Sequence, residues 1–349
     1  VSLIWTLAAH ELPLRYTWKI SRNASTTKTN LLLRVGDRPA GGLVGWGEAA
    51  PNVRYGETPE GLAAEFTALV EAGLGQVTRL PELEEFLATY TPAHALRFAI
   101  ESAFVHREAA RAGQTVAAWL GITPPRERVA TAFTLPIMEP GTVAKFVAEQ
   151  QMSRFALLKV KVNQDSGFEL LQALLRALPG RELIIDGNEA WTNADDVLRF
   201  VKQVQSLPDL RVRLLEQPLP ANCPDDYRYL RSRTPWPVFA DESVTDTADF
   251  AAIAQQFHGV NMKLMKAGGY LNGIRLLQQT RARGLQTMLG CMVETSLGIW
   301  SALQLSSLAD VCDLDGFLVV RDEPFGLVRE EQGQLMALPV CWATLRPVV

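Results

Sequence analysis

Short apolar runs that each end in charged or amide groups recur through the second half of the chain: LLKVKV (157–162), LIIDGN (183–188), LLEQPL (214–219), VFADES (238–243), NMKLMK (261–266) and CDLDGF (312–317). Runs of this length read as buried strands. Charges planted at the ends of buried strands cost free energy unless they find partners, so the strand ends must converge on one polar site. Parallel strands joined by helices achieve this, because all of them finish at the same rim. From residue 129 the chain alternates in this way, with strands expected at 129–135, 156–162, 183–188, 213–219, 237–242, 259–265, 286–291 and 312–316. Helices are expected over 142–151, 167–178, 194–205, 247–256, 271–283 and 296–307. Eight strands with intervening helices fit a closed α/β barrel. An open doubly wound sheet is the alternative, but the GxGxxG fingerprint that such a sheet commonly uses for a nucleotide is absent.

The first third follows another grammar. LIWTLAAHELPLR and TNLLLRVGD alternate as antiparallel strands do, and the glycines of GGLVGWGEAAP suit a turn or bulge near a site. Helical periodicity follows over 59–74, 83–90 and 93–112, so sheet then helices make an α+β unit. From about residue 322 the chain returns to Gly- and Pro-punctuated sequence and is expected to pack on this first unit. The expected organisation is an α+β capping domain over 1–125, completed by 322–349, and a barrel over 126–321. Two domains suit 349 residues.

Net charge is −4, which supplies no electrostatic reason to bind nucleic acid or an anionic membrane, so the expected partner is a small molecule. No run is long enough to span a bilayer, and His10 and Glu11 interrupt the stretch where a signal peptide would stay apolar. A cytoplasmic location is therefore the expectation. The four cysteines lack CxxC or zinc spacing and read as reduced thiols.

Residues two apart on a strand share a face, so Lys159 and Lys161 project together. On a surface strand they would simply be solvated. Inside a barrel the like charges would crowd and lower a lysine pKa toward that of a general base. Asp186, Glu216 and Asp241 end three successive strands and can converge on one hard cation; oxygen ligands without histidine favour Mg²⁺, with Mn²⁺ as a substitute, over zinc. Asn188 shares the face of Asp186, whereas Glu242 points away from that of Asp241. Lys263 lies across the barrel from Lys161. Lysines on opposite sides of one carbon suit racemisation or epimerisation, with the metal stabilising the enediolate formed when the α-proton leaves. Lys266 is off the face of Lys263 and reads as structural.

KVK, DGN, LEQP, ADES and NMKLMKAGG, in this order, resemble the enolase superfamily and specifically its muconate-lactonising branch. The resemblance spans nearly the whole chain. It implies a modified TIM barrel, (β/α)7β, with an α+β capping domain. It also implies Mg²⁺ at Asp186, Glu216 and Asp241, an acid/base pair in Lys161 and Lys263, and Lys159 assisting Lys161 and binding the substrate carboxylate. No histidine stands at a strand end suited to the relatives that use a histidine base. Asp313 and Asp315 share one face, suit a cationic group, and resemble the DxD motif with which dipeptide epimerases bind the free α-ammonium of the substrate.

A dipeptide such as L-Ala-L-Xaa, inverted at its carboxy-terminal residue, is therefore the expected substrate. Side-chain preference should come from capping loops, where Arg22 or Arg54 would pair with an acidic side chain and Tyr55 would pack on an apolar one. N-acylamino acid racemase, o-succinylbenzoate synthase and muconate cycloisomerase share the lysines and metal, but their substrates lack the ammonium. A silent metal-binding scaffold or interaction protein is the reading from another class, and a homo-oligomer is compatible with either.

Overall fold

The computed structural model describes residues 2–21, 23–37 and 42–347. Its first sheet is antiparallel, in the order β1 (Ile4–Lys19), β2 (Ala24–Gly36) and β3 (Val44–Ala49). The β1–β2 register shifts between Pro13 and Trp18. Such an irregularity bends a hairpin, and the tip reaches the barrel, where the Ser21 hydroxyl donates to the Asn188 carbonyl at 2.9 Å.

Helices Pro59–Glu71, Leu80–Tyr90 and His94–Arg111 follow. The first is capped at its start: the Thr58 side chain accepts from Gly61 N, and Pro59 stands in the first turn. The third packs so tightly on β3 that a Cβ at Gly45 would stand 1.9 Å from the Ala103 carbonyl oxygen, and one at Gly47 2.0 Å from that of Ala99. These glycines therefore serve a close approach of helix to strand, not the turn or bulge that the sequence suggested.

The second sheet has eight strands in sequential order: β5 (Ala132–Leu135), β6 (Leu157–Lys161), β7 (Glu182–Asp186), β8 (Arg211–Glu216), β9 (Val238–Ala240), β10 (Gly259–Lys263), β11 (Gln286–Gly290) and β12 (Val311–Asp313). The paired strands are parallel. Its two edges meet through side chains: Leu314 N donates to Thr131 Oγ1 at 2.8 Å, and Thr134 N to Asp315 Oδ2 at 2.6 Å. The interior is filled by a cluster of its own, Ala132, Ile184, Leu214, Phe239, Met288 and Val311, so the barrel is a packed core with its chemistry at the rim.

Two elements depart from expectation. The strand expected over 129–135 is split: β4 (Val129–Ala130) leaves the barrel and pairs with β14 (Gln334–Ala337), which pairs in turn with β13 (Val328–Glu331). Beyond this hairpin Trp342 stacks on His106 of the long capping helix, with ring centroids 4.3 Å apart. The sequence reading also missed helix Pro224–Arg231, in which only Tyr227 and Leu230 are buried.

Candidate active site

Strand register builds the site. Lys161, Asp186 and Glu216 are neighbours across β6, β7 and β8, and Lys263, Gly290 and Asp313 are neighbours across β10, β11 and β12. All sit at the carboxyl ends of their strands. Asp241 follows β9 directly and Asp315 lies two residues past the end of β12. Every one of these side chains is buried.

Lys159 stands at the centre. Its Nζ lies 3.0 Å from Asp186 Oδ2, 2.9 Å from Glu216 Oε2 and 2.9 Å from Asp313 Oδ2. The expected effect of its neighbour Lys161 is overruled: burial disfavours the Lys159 ammonium, but Asp186, Asp313 and Glu216 together raise its pKa well above the ordinary lysine value. Lys161 Nζ donates to Asp186 Oδ2 at 2.9 Å and to Asn188 Oδ1 at 3.0 Å. Asn188 N donates to Asp186 Oδ1 at 2.9 Å, so this amide holds both the lysine and its carboxylate.

Across the barrel, Lys263 Nζ donates to Asp241 Oδ2 at 2.9 Å. Burial opposes its charge, but Asp241 raises its pKa. Lys266, expected off the face of Lys263 and structural, nevertheless reaches Asp241. It sits one helical turn on, and its Nζ donates to Asp241 Oδ1 at 2.6 Å, to the Asp241 carbonyl, and to the Asn261 carbonyl at 3.1 Å. Glu242, expected to face away, lines the same cavity as Asp241.

The sequence reading overlooked two positioning amides. Gln217 Oε1 accepts from Asp241 N at 2.8 Å and from Ser243 N at 3.2 Å, and its Nε2 donates to the Tyr227 hydroxyl at 2.7 Å. Asn261 Nδ2 donates to Glu216 Oε1 at 2.8 Å. The signal was present for Asn261, two residues before Lys263 on one strand face; Gln217 adopts a positive φ of 35° that its LEQP setting does not announce.

The three carboxylates Asp186, Glu216 and Asp241 are close enough to repel one another. Glu216 is pushed up to about 8 by burial and then by Asp186, whereas Asp186 and Asp241 are held below the usual carboxylate range because lysines outweigh their burial. Among the described residues no three His, Cys, Asp or Glu groups are gathered closely enough to hold a metal ion as they stand. The Lys159 ammonium contacts two of the three carboxylates, donating to Glu216 Oε1 at 3.0 Å and standing 2.9 Å from Oε2 in ion-pair contact. An all-oxygen, buried and mutually repelling set already drawn around a cation suits a small hard divalent ion once Lys159 yields part of that space.

The substrate side is a cavity of about 250 Å³ between capping domain and barrel. Lys159, Lys161, Lys263, Asp313 and Asp315 line it, as do Arg54 and Tyr55 of the capping domain. Asp313 Oδ1 is buried without a hydrogen-bond partner. Asp315 is pushed up to about 7 by burial and then by Asp313, the signature of a carboxylate pair without enough positive charge. Arg54 does not present the open guanidinium expected for an acidic side chain. Glu189 holds it through both oxygens, at 2.9 and 3.0 Å, so the arginine ties the capping loop to the barrel. Arg22 lies outside the described residues.

A family model for the "Enolase C-terminal domain-like" fold matches residues 142–324. An L-Ala-D/L-amino acid epimerase of Pedosphaera parvula is 33% identical over 93% of this chain and 93% of its own length. An L-Ala-D/L-Glu epimerase of Escherichia coli is 36% identical over 81% of this chain and 85% of its own. Among solved structures, a dipeptide epimerase from Methylococcus capsulatus complexed with Mg and the dipeptide L-Arg-D-Lys superposes with a TM-score of 0.85 at 28% identity, covering 99% of both chains.

Proposed function

The chain belongs to the enolase superfamily and is an isomerase of its racemase and epimerase kind, and on that premise we propose that it is a Mg²⁺-dependent dipeptide epimerase. The observation that carries this reading is the pairing of opposed lysines with an under-compensated DxD. Lys161 and Lys263 belong to β6 and β10, four strands apart in an eight-stranded barrel, and both line the cavity that Asp313 and Asp315 also line. An α-carbon between the two Nζ atoms can lose a proton to the lysine that stands as a neutral amine, which becomes an ammonium, and regain one on its opposite face from the other, which stands as an ammonium. Asp313 Oδ1, buried and unpartnered, receives the α-ammonium that a dipeptide has and an N-acylated amino acid lacks.

Asp186, Glu216 and Asp241 would hold the metal, Mg²⁺ or Mn²⁺ in its place. When bound, it supplies Lewis-acid stabilisation of the negative charge that builds on the substrate carboxylate as the α-proton leaves. Asn188, Asn261 and Lys266 orient the carboxylates and Gln217 holds the Asp241 backbone; Lys159 offers a second cation to the substrate carboxylate. Tyr55 covers the Lys263 side, where Asp241 and Glu242 are near enough to act on its hydroxyl.

The experiment is mass spectrometry of a dipeptide library incubated with the protein and Mg²⁺ in D₂O. Gain of one deuterium at the α-carbon of particular L-Ala-L-Xaa members, abolished by EDTA, is the expected result. Exchange confined to N-acylamino acids would overturn the dipeptide assignment.

A further inference from the structure

Where its register with β2 shifts, between Pro13 and Trp18, strand β1 takes a second partner beyond the last barrel strand. Leu14 forms an antiparallel bridge with Val320, Arg321 N donates to the Pro13 carbonyl at 2.9 Å, and Arg15 Nε donates to the Val320 carbonyl at 3.0 Å. The capping strand is thereby tied to the segment that follows Asp315. Tyr16 comes next along it, packed edge to face on Phe146 of helix Val143–Glu149 with ring centroids 4.8 Å apart. Its ring lines a groove of about 450 Å³, separate from the substrate cavity. Its hydroxyl is buried and makes no hydrogen bond.

Burial above all, and then the charge of Asp315, keeps the proton on this phenol, against a smaller pull from Arg15. Tyr16 is therefore a donor without an acceptor. Asp315 has the complementary shortage. Its Oδ2 accepts from Thr134 N at 2.6 Å, but it has no ion pair among the described residues, whereas its neighbour Asp313 has the Lys159 ammonium at 2.9 Å. A buried donor and a buried carboxylate that each lack a partner both cost free energy. A bond between the two would remove both costs.

We propose that Tyr16 is a positioning residue of the ammonium subsite, its hydroxyl donating to the Asp315 carboxylate when the α-ammonium of a dipeptide binds. The inference rests on the dipeptide reading of the cavity. Trp18, two residues on from Tyr16, lines that cavity together with Thr134 and Asp315, so substrate meets Asp315 from the cavity and the phenol meets it from the wall behind. With Thr134 alone as donor, burial and then Asp313 favour the neutral form of Asp315, which attracts a cation far less. A second donor to the charged form keeps the carboxylate ionised and aimed at the ammonium.

The test measures kcat and KM by α-deuterium exchange on the L-Ala-L-Xaa dipeptide that exchanges fastest, in the parent enzyme, Tyr16→Phe, Asp315→Asn and the double variant. Tyr16→Phe should raise KM about tenfold with kcat within about twofold of the parent. The thermal midpoint of the free protein should stay the same or rise, since the change deletes a buried hydroxyl that has no partner there. In the Asp315→Asn background the same change should alter kcat/KM by less than about twofold, because the group it acts through is gone. An unchanged KM in Tyr16→Phe, a loss confined to kcat, or a tenfold loss that persists beside Asp315→Asn would each overturn the proposal. If the parent turns over no dipeptide, the dipeptide reading fails by itself, and Tyr16 is then judged by the ¹³C carboxyl titration of Asp315 in aspartate-labelled protein supplied with Mg²⁺. Its midpoint should rise by about one pH unit in Tyr16→Phe; an unmoved midpoint would overturn the proposal.

Discussion

The two lysine arms of this site have matching lengths and different foundations. Lys161 and Lys263 each stand 2.9 Å from one carboxylate oxygen, of Asp186 and Asp241 respectively. The Lys161 arm is completed by the barrel residues Asn188 and Lys159, the latter also reaching Glu216 and Asp313, and the capping domain meets it at loops, through Ser21 on the Asn188 carbonyl and Arg54 on Glu189. The Lys263 arm is braced by the capping domain. Its following turn carries Gly268 and Gly269 at φ values of 77° and 143°. A Cβ at Gly269 would stand 2.4 Å from the Glu101 carboxylate of the long capping helix, and Glu101 Oε1 accepts from Leu271 N at 3.0 Å. Met265 Sδ, on the same turn, accepts from Ala50 N at 3.3 Å. The lesson is that two lysines with matching local geometry have unequal support, one from capping loops and one from the long capping helix, so perturbing that helix should disturb the Lys263 arm first.

The largest expected effect comes from removing either lysine. Lys161→Met and Lys263→Met should each lower epimerisation by about 10³-fold or more, measured by polarimetry, with far-UV circular dichroism unchanged. Comparable turnover in either variant would remove that lysine from the chemistry. Next, Lys266→Met should destabilise the fold by about 3 kcal/mol, because it leaves a buried carboxylate and two carbonyls with one cation fewer. Asn188→Ala, on the other arm, should cost about 1 kcal/mol. Urea melts of the two variants check the ranking, and equal losses would erase the asymmetry.

The capping brace also has a pH signature. Burial raises Glu101 from 4.5 to about 7, so the folded protein binds this proton more tightly than the unfolded chain does. Its contribution to stability is full below about 4.5 and is lost as pH rises through about 7. Glu101→Gln should therefore flatten the stability–pH curve in that window, as read from denaturation midpoints; an unchanged slope would show that Glu101 does not titrate there. The smallest effect is expected at the loop tie. Arg54→Ala should cost about 0.5–1 kcal/mol, since the guanidinium is partly exposed, and should act mainly on KM.

The barrel was legible because its strands end in residues that serve the site, so each apolar run carried its own marker. The same markers located Lys159, Lys161, Asp186, Glu216, Asp241, Lys263, Asp313 and Asp315, all of which the fold gathers around one region. Groups that depend on long-range partners were not legible. Thr131 and Thr134 close the barrel through Leu314 and Asp315, nearly the length of the domain away. Arg54 read as an open cation because Glu189, its partner, is 135 residues distant. The contact of Lys266 with Asp241 was hidden because strand periodicity was extended into what is a helical turn, Leu264–Ala267. Helix Pro224–Arg231 escaped because two buried residues do not establish a period. No helix among the described residues is long and apolar enough to cross a membrane, in keeping with the absence of a long apolar run.

The most direct measurement of the opposed-lysine scheme is α-proton exchange in D₂O on separate L,L and L,D epimers of a turned-over dipeptide, with Lys161→Met and Lys263→Met side by side. The expected result is complementary: each variant exchanges the α-proton of only one epimer without inverting it, and the two variants choose opposite epimers. Exchange of both epimers by one variant, or of the same single epimer by both, would contradict two lysines acting on opposite faces of one carbon.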